Sequence, residues 1–269
     1  MSRLELRTRS DAFDDVVASF QDPTRCDGTG LSKLDTAMGG GLFAGKAYGI
    51  QARKKIGKTV LLGSISYALN DAGVPHLWIA AEMNDRELET RHLAHALGRP
   101  AIDFMDGRED LSELVSMHAC DAPDNITYCN AAGVTLPELE NVIERAVEKT
   151  GIHGVIVDYL QLVRSTGNSN RTEHLETVAM FLANVAREKQ IWVLCAAQLN
   201  QEDNTRGGEG MLLAFDMVFT LRRKKYGEWA WLEMMETRYT PYMHVGSAKD
   251  PGLFMEALGP YFRETKDSD

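Results

Sequence analysis

The stretch Ala52-Arg53-Lys54-Lys55-Ile56-Gly57-Lys58-Thr59 limits what this chain can fold into more than any other. The apolar run Ala47-Tyr48-Gly49-Ile50 precedes it, and Val60-Leu61-Leu62-Gly63-Ser64-Ile65-Ser66-Tyr67-Ala68-Leu69 follows. That order reads as strand, tight loop and helix. Such a loop turns backbone N–H groups inward beside a helix N-terminus, which makes a site for an anion. Gly57 lets the backbone approach a phosphate, Lys58 reaches the outer phosphates, and the Thr59 hydroxyl is placed for Mg²⁺. Residues 52–60 (Ala52, Arg53, Lys54, Lys55, Ile56, Gly57, Lys58, Thr59 and Val60) are therefore the expected nucleotide-binding segment. Ala52 stands where the phosphate-loop pattern has its first glycine, and an alanine turns there only with a negative φ.

With 269 residues, 44% hydrophobic and 25% charged, the chain can bury one large core. A net charge of −10 argues against a broad basic surface, so contacts with nucleic acid must come from local basic loops. No apolar run approaches the length of a bilayer span, and the first residues lack a signal-peptide core, so no membrane partner is expected. The four cysteines, Cys26, Cys120, Cys129 and Cys195, have no metal-ligand spacing and read as packing thiols of a reducing cytoplasm.

Along the chain, residues 11–20 read as a short amphipathic helix carrying Phe13, Val16, Val17 and Phe20, ended by Gln21-Asp22-Pro23. This helix either folds back on its own domain or docks on a neighbouring subunit. Residues 1–28 are thus expected to be an arm and 29–269 a single α/β domain. Glycines 39–41 supply turns, since no strand precedes them. Strands are expected at 75–81, 126–130, 154–162 and 191–198, and helices at 86–97, from Thr135 onward, and across Leu175, Val178, Leu182, Val185 and Ala186. Residues 215–221, 228–236 and 242–245 read as edge strands with a hairpin turn near Tyr226-Gly227. The alternation gives an α/β fold with a mostly parallel twisted sheet, helices on both faces and an antiparallel edge.

In such sheets ligands bind beyond the carboxyl ends of the strands. Four strand ends carry apt residues: the phosphate loop, Glu82, Asp158 and Gln198. Asp158 is placed to hold Mg²⁺ together with Thr59. Glu82 is placed to activate a water that attacks the terminal phosphate, or else to cap the helix that follows. Gln198 either contacts that phosphate or satisfies backbone groups at a buried strand end.

Several segments carry a family resemblance in order and spacing: Thr29-Gly30-Leu31-Ser32-Lys33-Leu34-Asp35, residues 52–59, Ala81-Glu82-Met83 with Leu88 and Arg91, Val157-Asp158-Tyr159-Leu160-Gln161, and Ala197-Gln198-Leu199-Asn200. Together they resemble the RecA-like P-loop ATPase domain of the DnaB family of replicative DNA helicases, from about residue 29 to 245. The resemblance implies a hexameric ring with ATP and Mg²⁺ at each subunit boundary, moving on single-stranded DNA through the central hole. It implies catalytic roles for Glu82 and Gln198, and a trans-acting role for Arg238 at the neighbour's site. The family carries Lys-x-Arg there; this chain has Glu236-Thr237-Arg238, and Pro241 replaces an expected glycine. Read alone, Arg238 is a surface arginine. Arg164 and Arg171 in one polar loop, and Arg206, Gly207 and Gly208 in another, resemble the DNA contacts of the ring interior. The arm helix resembles the linker helix that docks on the adjacent subunit. A cytoplasmic protein of a bacterial cell, a phage or a plasmid is implied, with any loader or primase partner left open. Two other readings share this core: a RecA-like filament or annealing protein on single-stranded DNA, and a KaiC-like regulatory or loading ATPase.

Overall fold

The computed structural model describes residues 6–80, 83–105, 111–131, 133–158, 171–199, 213–224, 227–256 and 261–265. The parallel centre of the sheet is made by β3 (Ala47–Arg53), β4 (His76–Ala80), β5 (Ile126–Asn130), β6 (Gly154–Asp158), β7 (Trp192–Leu199) and β8 (Met217–Arg223). Antiparallel strands β9 (Trp229–Thr237), β10 (Leu253–Glu256) and β11 (Tyr261–Glu264) extend one edge. The order is β11-β10-β9-β8-β3-β7-β6-β4-β5, with β3 between β7 and β8. A separate two-stranded ribbon pairs β1 (Cys26–Asp27) with β2 (Leu42–Phe43).

Strands buried on both faces read as continuous apolar runs, and β4 and β6 are buried at every position. One face packs on α2 (Ser32–Met38) and α3 (Lys58–Asp71), through Leu34, Leu61, Leu62 and Ile65 against Tyr48, Ile50, Trp78, Ile156 and Leu194. The other packs on α7 (Leu136–Thr150) and α8 (Arg171–Lys189), through Leu139, Ile143, Val178 and Leu182 against Leu77, Val155 and Val193. The glycine run behaves as the sequence suggests: Gly39 ends α2 in the left-handed region at φ 82°, where only glycine is free of strain. Flanking the sheet's β5 side are α4 (Asp85–Ala96), α5 (Ala101–Met105) and α6 (Ser112–Asp121).

Two expectations change, and an alternative left open narrows. Residues 242–245 form no strand; Val245 makes only an isolated bridge with Leu232. The outer edge is instead β10 and β11, at 253–256 and 261–264, where no sequence alternation stands out. Of the cysteines, only Cys195 is a buried packing thiol; Cys26 and Cys120 are exposed and Cys129 lies between. The arm helix α1 is Arg9–Ser19, capped by Thr8, and buries no residue. Its Phe13 and Phe20 are 61% and 85% exposed, so it does not fold back onto this chain.

Candidate phosphate-binding site

β3 delivers the phosphate loop to the top of the sheet, and α3 leaves from it. Ala52 stays in the strand, paired with Gln198. The positive dihedrals fall later, on Lys55 at φ 66° and Gly57 at φ 113°. Gly57 is the residue before α3, and no side chain caps the helix there. That contrasts with α4 and α7, whose N-termini carry complete capping boxes from Asn84 with Glu87 and Thr135 with Glu138. Nor does the first turn of α3 hold an acidic residue. The first N–H groups of a helix have no partner within the helix, so an end left without a cap suits a bound anion.

Opposite that end stands Asp158, the last residue of β6, level with Ala80 of β4. It is 3% exposed, and Lys58 Nζ lies 3.5 Å from its Oδ1. Among the described residues that oxygen has no hydrogen-bond donor. An ionised oxygen is costly to bury without a donor, and a cation with its water shell would satisfy it. The donor set fits Mg²⁺ on a triphosphate: a carboxylate oxygen, a neighbouring hydroxyl at Thr59 in the first turn of α3, and a lysine already in the pocket.

The loop is held from outside by two residues that the sequence alone did not single out. Arg223, at the end of β8, donates from Nη2 to the Lys55 carbonyl at 3.2 Å. Burial pulls its guanidinium below the usual arginine range, and its buried Nε has no partner among the described residues. Phe262 of β11 packs on Gly57, where an added Cβ would come within 3.1 Å of the ring. Its main-chain N–H donates to Ser64 Oγ of α3 at 2.8 Å. The basic run at 222–225 hinted at Arg223; nothing in the pattern marks Phe262, because it sits on a strand the sequence did not reveal.

Of the other expected site residues, Gln198 is partly buried near the end of β7, beside the loop strand. Arg53 at the end of β3 and Lys54 and Lys55 on the loop are exposed. Glu82, Arg164, Arg206, Gly207 and Gly208 lie outside the described residues, and Arg171 opens α8 with its side chain outside them. Arg238 is not at this site. Its main-chain N–H donates to the Asp216 carbonyl, and Asp216 pairs with Ala47 at the start of β3. The arginine and the phosphate loop therefore sit at opposite ends of a seven-residue strand, about 20 Å long.

A cavity of about 900 Å³ opens elsewhere, beside α3, α4 and α6, and none of its lining residues belongs to the phosphate loop. In its wall, burial raises the Glu89 carboxyl, but hydrogen bonds from His92 and Tyr128 outweigh burial and hold it below the usual range. Among the described residues, no helix is long and apolar enough to cross a membrane, and no cluster of three His, Cys, Asp or Glu side chains could hold a metal.

Fold and sequence together define an α/β domain with a phosphate-loop motif at the end of its central strand. Comparison with known proteins narrows this. The family model described as DnaB-like helicase C terminal domain matches residues 28–211, and the chain belongs to that family. The replicative DNA helicase DnaB of Rhodothermus marinus is 32% identical over 193 residues, covering 67% of this chain and 20% of the relative. DnaB of Leifsonia xyli is 28% identical over 204 residues, covering 72% and 44%. The chain thus spans less than half the length of these two relatives. Among solved structures, the ATPase domain of G40P superposes with TM-score 0.80 at 18% identity, covering 97% of this chain and all of that one. A DnaB-like replicative helicase, solved in a study of its interactions with primase, gives TM-score 0.78 at 18% identity, covering 97% and 68%. At that identity the likeness establishes the fold: a RecA-like core with an antiparallel edge.

Proposed function

We propose that the chain is the motor of an ATP-driven DNA helicase, working as a hexameric ring on single-stranded DNA. The observation that carries this reading is Lys58 beside a buried Asp158 oxygen that has no hydrogen-bond donor among the described residues, facing a helix end that no described side chain caps. Gly57 and the first N–H groups of α3 cradle the β- and γ-phosphates, and Lys58 leaves Asp158 for them. Thr59 and Asp158 hold Mg²⁺, which when bound offsets charge developing on the transferred phosphoryl group. Glu82 orients and deprotonates the attacking water, and Gln198 contacts the γ-phosphate. The position of Arg238, a strand's length from its own phosphate loop, favours a role at the neighbouring copy's nucleotide; such arginines are worth about 10³–10⁵ in rate.

On this reading residues 1–28 are an arm and 29–269 the motor. The apolar face of α1, bare on its own chain, docks on the adjacent subunit, and the cavity beside α4 and α6 is the concave surface it would fill. Arg164, Arg171, Arg206, Gly207 and Gly208 contact phosphates of the strand in the ring, reading no sequence. Confining those contacts to an interior reconciles DNA binding with a net charge of −10, and makes affinity fall with salt. The ring works in the bacterial cytoplasm, whether the chain is chromosomal or carried by a phage or plasmid.

The test is ATP hydrolysis with and without single-stranded DNA. The reading expects DNA to stimulate turnover, and Lys58→Ala and Glu82→Gln to abolish it. Nucleotide binding with turnover indifferent to DNA would favour a regulatory ATPase instead. DNA-stimulated turnover that survives Glu82→Gln would remove Glu82 from its role.

A further inference from the structure

At the end of β3 away from the phosphate loop, a compact polar cluster surrounds Arg238. Asp216 is 2% exposed and Ala47 fully buried. The two are clasped twice: Asp216 N–H donates to the Ala47 carbonyl at 2.8 Å, and Ala47 N–H donates to Asp216 Oδ2 at 2.9 Å. Lys46 Nζ lies 3.9 Å from Asp216 Oδ1 and 3.7 Å from the centre of the Tyr239 ring, so one cation spans Asp216 and the residue after Arg238. Arg238 rests on the same turn. Its N–H donates to the Asp216 carbonyl at 3.1 Å and its Nη2 to the Leu213 carbonyl at 2.7 Å.

A buried carboxylate that spends one oxygen on a single main-chain N–H is an expensive way to join two strands, since ordinary ladder bonds do so without a charge. Here it fixes the turn that carries an exposed arginine, and it fixes that turn to the strand that ends in the phosphate loop. A side chain meant to meet a phosphate on another molecule must be held closely, because a displacement of about 1 Å can cost about 10²-fold in rate.

We propose that Asp216 is a positioning residue for Arg238: its clasp on Ala47 ties the turn that holds the arginine offered to the next copy to the foot of β3, the strand whose other end leads into the loop holding this copy's nucleotide. The inference rests on the trans role of Arg238. It adds that the two sites served by each chain are registered to each other through β3, with Lys46 bracing the turn from its exposed side. Leu213 contributes only its carbonyl, and its side chain is 72% exposed.

The experiment mixes two inactive full-length chains. One carries Lys58→Ala, with its own site dead and its arginine intact. The other carries Arg238→Ala, with its own loop intact. Recovery of ATP hydrolysis on mixing shows that the arginine acts in trans; a silent mixture overturns that reading and this inference with it. Given recovery, Asp216→Ala is added to one chain at a time. In the Lys58→Ala chain, the arginine donor, it lowers recovered turnover at least about tenfold. In the Arg238→Ala chain, which has no arginine to place, it costs less than about twofold. Asp216→Asn, which keeps an oxygen for the Ala47 N–H, restores most of the loss. Equal losses in both arms, or none in either, overturn the proposal. If Asp216→Ala fails to fold, Lys46→Met goes through the same two arms with the same asymmetry expected and the same equal-loss result overturning it.

Discussion

Two buried aspartates serve opposite ends of β6 and differ in one respect that separates scaffold from site. Asp27 lies by the start of the strand, next to the paired Gly154 and Trp192. Its Oδ2 accepts from Trp192 Nε1 at 2.8 Å, His153 Nδ1 lies 3.1 Å away, and Arg25 stands at 3.8 Å. Asp158 ends the same strand with Lys58 near it and one oxygen with no donor among the described residues. Both carboxylates are buried and both face a cation. Among the described residues the first is fully partnered, whereas one oxygen of the second has no hydrogen-bond donor, as the proposed ligand site requires. A buried charge with full partners is architecture, whereas one held short of satisfaction marks where a ligand goes.

The largest effect that could break this contrast is at Lys58. Lys58→Ala should lower DNA-stimulated ATP turnover per folded molecule by about 10²–10³-fold or more, beyond any loss of stability read in urea from leaving buried Asp158 without its lysine. Turnover per folded molecule left unchanged would make Lys58 part of the scaffold. Asp27→Ala should do the reverse: about 3 kcal/mol of destabilisation in urea, because Trp192 Nε1 and His153 lose their acceptor, with turnover per folded molecule kept.

The pH dependence sharpens the same division. His76, at the start of β4, is fully buried between Ser66 Oγ and the Val74 carbonyl. Burial pushes its pKa from 6.5 down to about 4. Between those values the unfolded chain binds the proton and the folded chain does not. This contribution is fully present above about pH 6.5 and is lost as pH falls toward 4, and it amounts to no more than about 3 kcal/mol. Melting curves from pH 7 to 4 should show the decline, and His76→Gln should flatten it. The smallest effect is at Asp158. Removing a charge with one oxygen that has no donor among the described residues should leave stability unchanged or raise it by about 1 kcal/mol in Asp158→Asn, read in urea, while Mg²⁺-dependent turnover falls. A loss of about 3 kcal/mol would make Asp158 a second Asp27.

Much of the top of the sheet was legible in the chain because strand and phosphate loop leave a strong local pattern: a continuous apolar run, then glycine and lysine, then an apolar helix. Asp158 was legible for the same reason, as a lone carboxylate closing an apolar run. Asp27 was not. It sits in a two-residue strand, and its partners at 153 and 192 are far away in sequence. The closing strands β10 and β11 escaped for a related reason, being only four residues each, so period-2 alternation has no length in which to show. Arg238 was legible as a residue only through the family resemblance. Its place at the foot of β3 came from Asp216, whose role depends on a clasp between positions 47 and 216 that no local pattern encodes.

A forked DNA substrate tests the central claim most directly, with strand separation followed in the presence of Mg²⁺ and ATP. The account predicts unwinding that requires ATP hydrolysis, disappears with Lys58→Ala, and weakens steeply as salt rises. A chain that hydrolyses ATP at an undiminished rate without DNA, and leaves the fork intact, would contradict it.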